Sequence, residues 1–228
     1  MNKPLHTDKP TRHFDLAAKE TTISIAGQNA EVLTYNGSFP GPLLEVHEGD
    51  LVTVNFTNQL SESSNLHLHG IFMSPEDDKP HQVVAPGQSL SYTFDAQSGS
   101  AGMYWYHPHA HGRVTRQLFE GLSGPIIIRG AVDQLETIDS ATEKVLVLHD
   151  ITLQNGEVAP HVGMAWGRGK EGELVLVNGE HKPKMAAPTG LLRLRIVNAS
   201  SARYYNLRIP GKQLQVIGMD GSFLEAPV

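Results

Sequence analysis

Leu43-Leu44-Glu45-Val46-His47-Glu48-Gly49-Asp50-Leu51-Val52-Thr53-Val54-Asn55-Phe56 is the stretch that decides the fold. Apolar and polar residues alternate on both sides of a Glu-Gly-Asp turn. Side chains that repeat every two residues share one face of a β-strand, so each half reads as a strand with one buried face. The same unit recurs at residues 21–25, 31–35, 43–47, 51–56, 65–72, 90–94, 102–107 and 124–128. Turn residues divide these segments at Asn36-Gly37, Phe39-Pro40-Gly41-Pro42, Glu48-Gly49-Asp50, Ala85-Pro86-Gly87 and Ser98-Gly99. Short strands at this spacing, with almost no helical pattern between them, predict an all-β Greek-key sandwich. One short helix is predicted at 116–120, with Gly121 as its cap.

The composition narrows the class further. A chain of 228 residues is more than one domain at about 100–150 residues each. An arm is expected over 1–13 and a first domain over 14–130. The polar, acidic stretch 131–143 reads as a linker, and a second domain as 144–228. In that second part strands are predicted at 145–149, 174–177, 191–197, 204–209 and 214–218. A sandwich of this kind has about seven, so the second domain reads as incomplete and the chain as truncated. Eighteen Lys and Arg against 24 Asp and Glu give a net charge of −6, the opposite of a nucleic-acid footprint. No apolar run approaches the ~18 residues of a membrane span, and Met1–Pro10 has no signal-peptide core. With no Cys, disulfides, thiolate zinc sites, Cys nucleophiles and any Cys-ligated blue copper are excluded from this sequence.

The chemistry lies in the histidines, of which there are 12. His67-Leu68-His69-Gly70 and Trp105-Tyr106-His107-Pro108-His109-Ala110-His111-Gly112 each place a His-x-His pair on one face of a strand. A Greek key brings distant strands together, so the two pairs are expected to assemble four imidazoles around a metal. Such a donor set suits copper, zinc, iron or nickel, with copper the strongest binder. His111 reads as an outer neighbour or a solvent-facing residue. His6, His13, His47, His81, His149, His161 and His181 occur singly and are assigned no role. Rival motifs fail on spacing. A cupin needs a Glu three or four residues after the second His, where Met73 and Ser74 stand. A metallo-β-lactamase needs Asp-His where Gly70-Ile71 follow. No His-Glu-x-x-His is present, and Gly121-Leu122-Ser123-Gly124 is not a nucleophile elbow.

In order along the chain, Tyr35-Asn36-Gly37-Ser38-Phe39-Pro40-Gly41-Pro42, Glu48-Gly49-Asp50, the two His motifs, Ala85-Pro86-Gly87 and Gly121-Leu122-Ser123-Gly124-Pro125 resemble the first cupredoxin domain of a multicopper oxidase. Leu176-Val177-Asn178-Gly179, the run 192–200, Ala202-Arg203 and Asp220-Gly221 resemble its second domain, nearest the laccase-like and cuprous-oxidase branch. The resemblance covers about 15–228. It implies cupredoxin-like Greek-key β-sandwiches, one complete and one incomplete.

It also implies a trinuclear copper cluster that reduces O2 to water with electrons from a small substrate, phenols or Cu(I). His67 matches the ligand of the type 2 copper, and His69, His107 and His109 match ligands of the type 3 pair. Asp77 or Asp78 matches an acid that assists proton delivery, a solvated loop acid being the alternative for each. The family's third domain, with the remaining ligands and the blue-copper Cys, is not in this sequence. A C-terminal cupredoxin domain or a partner chain must supply it, and the chain alone is expected to be inactive. The resemblance places the protein in the periplasm or outside the cell. The alternative function is a copper-binding cupredoxin module without oxidase activity.

Overall fold

The computed structural model describes residues 9–228. Eight strands form the first unit: β1 (Thr11–Ile25), β2 (Gln28–Tyr35), β3 (Leu44–His47), β4 (Leu51–Asn58), β5 (His67–His69), β6 (Ser89–Asp95), β7 (Gly102–His107) and β8 (Gly124–Arg129). They build two sheets. One runs β2-β1-β4-β6 and the other β3-β8-β7-β5. The pairings β1–β4 and β3–β8 are parallel between strands that are not consecutive, so the chain must cross between the sheets, as in a Greek key. The alternation read at 51–56 is realised in β4, where every second residue is buried. Leu16, Tyr35, Val54, Phe56, Leu68, Tyr92, Tyr106 and Ile126 from both sheets fill one core.

The arm expected over 1–13 lies mostly outside the described residues, and Thr11–His13 within it are strand. Their backbone pairs in parallel with Leu51–Thr53, a distant partner that no local pattern announces. Two short helices belong to this unit, α1 (Pro75–Asp78) and α2 (Val114–Phe119). Ser74 caps α1, its hydroxyl accepting from the Asp77 backbone N–H.

The second part contributes β9 (Thr142–Ile151), β10 (Leu153–Gln154), β11 (Glu157–Val158), β12 (Leu174–Val177), β13 (Glu180–His181), β14 (Leu192–Asn198), β15 (Gly218–Met219) and β16 (Ser222–Phe223). Its main sheet runs β13-β12-β9-β14, while the hairpin β10–β11 extends the first unit's sheet at β2. Val147, Val197 and Ala199 pack against Met103 and Trp105 on the outer face of β7, which joins the two parts.

The stretch 131–143 is more than a spacer. It carries a 3-10 turn (Ala131–Gln134) and a short helix, α3 (Glu136–Asp139), and its Asp133 and Glu143 anchor a charge network. Arg193 and Arg195 both donate to Asp133, at 2.6 and 2.7 Å, and Arg129 forks onto Glu143 at 3.0 and 2.6 Å. Burial pushes Glu143 up, but hydrogen bonds from Arg129 and Arg195 override it and hold this carboxyl at about 2.

The strands expected at 204–209 and 214–218 are not formed, apart from Gly218 at the start of β15. Tyr204 is 94% exposed, and Leu207, Ile209, Leu214 and Val216 are exposed too. An alternating segment becomes a strand only against a partner, and among the described residues none borders 204–209.

Candidate metal centre

Strand periodicity sets the site. β5 and β7 pair antiparallel with His67 opposite His107, Leu68 opposite Tyr106 and His69 opposite Trp105. Leu68 and Tyr106 therefore point into the sandwich core, where both are buried. His67, His69, Trp105 and His107 stand together on the other face. Pro108 cannot donate to a ladder and ends β7. The chain then turns so that the His109 ring lies 5.1 Å from that of His67 and 6.5 Å from that of His107, centroid to centroid. The His67–His69, His67–His107 and His69–His107 ring distances are 5.6, 5.4 and 5.4 Å. One ligand nitrogen from each of His67, His69 and His107 lies within 4.8 Å of the other two.

Hydrogen bonds select which nitrogens face inward. The Pro108 carbonyl can only accept, so His107 Nδ1, 2.8 Å away, carries the proton and Nε2 keeps its lone pair. That Nε2 lies 3.2 Å from His69 Nδ1. Asp78 Oδ1 sits 2.9 Å from His67 Nδ1 and accepts its proton, which leaves His67 Nε2 available. Asp77 instead binds the Ser74 hydroxyl, at 2.8 Å. Of the two acids picked out by the sequence, Asp78 is the one whose carboxylate meets His67.

Burial, opposed by the Pro108 hydrogen bond and reinforced by His67, His69 and His109, pushes His107 down to about 3. His69 is also lowered, by burial first and then by His67, with Asp220 acting against the shift. Both are therefore neutral at pH 7, the form in which imidazole binds metals. His109 Nδ1 is buried and, among the described residues, has no hydrogen-bond partner.

One contributor, Asn65, carries no local signal in the sequence, whereas Trp105 adjoins the second His motif and reads from it as packing beside the site. Asn65 is fully buried. Its Oδ1 accepts from the His109 backbone N–H at 2.6 Å, and its Nδ2 donates to the Pro80 carbonyl at 3.1 Å. It thus ties the second His motif to the loop after α1. Trp105 lies against the ring of His107 at 4.2 Å, walling the site on the side of the second unit. Asp220, in the β15–β16 turn, is a third neighbour. His111 is exposed, its ring 5.6 Å from that of His109.

Family models described as multicopper oxidase match residues 17–133 and 149–228. The chain belongs to the multicopper oxidase family. A multicopper oxidase of Staphylococcus aureus is 32% identical over 92% of this chain and 47% of its own length. Cell division protein FtsP of Yersinia pestis is 31% identical over 88% of the chain and 43% of its own. Among solved structures, a multicopper oxidase from Campylobacter jejuni described as a metallo-oxidase superposes with a TM-score of 0.88 at 37% identity, over 99% of this chain and 48% of that one. The chain spans about half the length of the relatives it matches. Membership of this family implies copper, and the donors fit it: neutral imidazoles at His69 and His107, ligand nitrogens of His67, His69 and His107 converging on one space, and a buried His109 Nδ1 without a partner among the described residues. Among the described residues no helix is long and apolar enough to cross a membrane.

Proposed function

We propose that this chain supplies the first part of a laccase-like multicopper oxidase, which couples one-electron oxidation of a small substrate, phenols or Cu(I), to reduction of O2 to water. The observation that carries this is that His67, His69 and His107, from two distant motifs, each bring a ligand nitrogen within 4.8 Å of the others, with the His109 ring 5.1 Å from that of His67. His67 would hold the type 2 copper, and His69, His107 and His109 the type 3 pair. Copper held by these residues would relay to dioxygen the electrons that come from the substrate.

The protein's own residues perform the rest. The Pro108 carbonyl and the Asp78 carboxylate fix the orientation of His107 and His67 by holding their Nδ1 protons. Trp105, with Val147 and Val197 packed behind it, closes off water from one side. Asp78 is partly open to solvent, with 19% of its side chain exposed, and touches the ligand group. It is placed between solvent and the ligand group, where it would assist proton delivery to the site. The remaining ligands and the blue copper, which needs a Cys, come from a further cupredoxin domain or a partner chain. The protein acts in the periplasm or outside the cell.

The test is a Cu(II) titration combined with oxygen uptake on a phenol or on Cu(I), with and without a complementing cupredoxin domain that carries the Cys. Copper binding that is lost in His67→Gln/His107→Gln, with oxygen uptake only in the complemented protein, is expected. Binding without uptake in the complemented protein would assign the chain instead as a copper-holding module. Binding unaffected by the substitutions would overturn both readings.

A further inference from the structure

His81 was assigned no role by its position in the sequence, yet its ring meets that of His111 edge-on at 5.2 Å. Both residues are exposed. Among the described residues, neither ring hydrogen-bonds to another group. The pair is not an accident of loose loops. The Asn65 amide holds the Pro80 carbonyl at 3.1 Å, the Val84 N–H donates to the Ser64 carbonyl at 2.8 Å, and Lys79 Nζ donates to the Ser91 carbonyl at 2.6 Å. These contacts bracket His81. On the other side, the Arg113 N–H closes a turn onto the Ala110 carbonyl at 2.9 Å, with His111 inside it. Asn65 also accepts from the His109 backbone, so one buried side chain positions both loops.

We propose that His81 and His111 form an external copper-docking pair that captures Cu(II) and passes it inward through His109 to the central histidines. The proposal rests on the copper reading above. Two considerations support it. The imidazoles form a continuous series from surface to interior, His81 to His111 at 5.2 Å, His111 to His109 at 5.6 Å and His109 to His67 at 5.1 Å. Two imidazoles with open coordination positions hold Cu(II) with water completing the shell, a labile arrangement suited to transfer. No electron changes hands in this step; copper exchanges water and imidazole ligands only.

The full chain is titrated with Cu(II) sulfate as wild type, as His81→Gln/His111→Gln and as His67→Gln/His107→Gln. Bound copper is read by electron paramagnetic resonance, and filling of the central site by quenching of Trp105 fluorescence, with Trp166→Phe introduced in every protein so that Trp105 is the fluorophore read. Wild type is expected to bind one further, weaker Cu(II) than His81→Gln/His111→Gln. Central filling at limiting copper should be on the order of tenfold slower in that variant, because docking raises the local concentration, with the final quench unchanged. Both positions are exposed, so far-UV circular dichroism should match wild type. Equal stoichiometry and equal filling rates overturn the proposal. Copper that depends on His81 and His111 while the central site stays empty in wild type overturns the transfer role and, separately, the central copper reading. Loss of the quench in His67→Gln/His107→Gln with the weaker copper retained supports two distinct sites.

Discussion

Acidification of the copper-free chain should cost stability through one buried imidazole. His107 titrates at about 3 in the folded protein, against about 6.5 for an unfolded histidine. A histidine with a depressed folded-state pKa binds its proton first in the unfolded chain. Its contribution is therefore complete above about pH 6.5 and is lost as pH falls toward 3. Between pH 7 and pH 5 the difference integrates to about 2 kcal/mol. That is a large share of the 5–15 kcal/mol typical of a folded domain. Glu143, held at about 2, does not titrate in this window. Glu120, raised by burial, acts in the opposite direction, and His69 and His149, both lowered by burial, act in the same one. Comparison with His107→Gln isolates the His107 share. Urea unfolding of both proteins at pH 7 and pH 5 should show wild type losing about 2 kcal/mol more than the variant over that interval. The same pH dependence in both proteins would refute the reasoning, since His107 would then not be held neutral by its surroundings.

Asp78→Asn keeps the side chain's shape but cannot hold the His67 proton as an anion, so Cu(II) affinity measured by calorimetry should fall about 10–100-fold. In Gly124→Ala the new methyl group would overlap the Tyr106 ring, whose hydroxyl is fixed on the Pro42 carbonyl at 2.7 Å. Thermal unfolding should show a loss of about 1–3 kcal/mol from overpacking. Arg195 has 4% of its side chain exposed and bonds both Asp133 and Glu143. Arg195→Ala should cost about 3 kcal/mol by chemical denaturation, the low end for a broken buried pair, because Arg129 and Arg193 still hold the two carboxylates.

Much of the fold was legible because its strands carry their burial in their alternation. β4 shows it in full, and Leu68 and Tyr106 mark which face of β5 and β7 is core, leaving the histidines on the other. The same local rule failed in two directions. Thr11–His13 look like an arm until Leu51–Thr53 are set beside them, and 204–209 look like a strand until no partner is found. Pairing is a long-range property that alternation does not encode. His67, His69 and His107 could be read because their spacing has a meaning on a strand, whereas His109 lies beyond the end of β7 and is brought in by the turn after Pro108. The choice between Asp77 and Asp78 could not, because it depends on how α1 turns its two acids, one to its own cap and one to His67. Asn65 and His81 escaped for a similar reason. Each acts through residues distant in sequence, and neither sits in a spacing with chemical content.

The central claim is that His67, His69, His107 and His109 together hold copper. X-ray absorption fine structure at the copper edge of the Cu(II)-loaded chain tests it directly. Outer-shell scattering from several imidazole rings, abolished in His67→Gln/His107→Gln, is the predicted result. A shell of oxygen donors alone, indifferent to those substitutions, would contradict it.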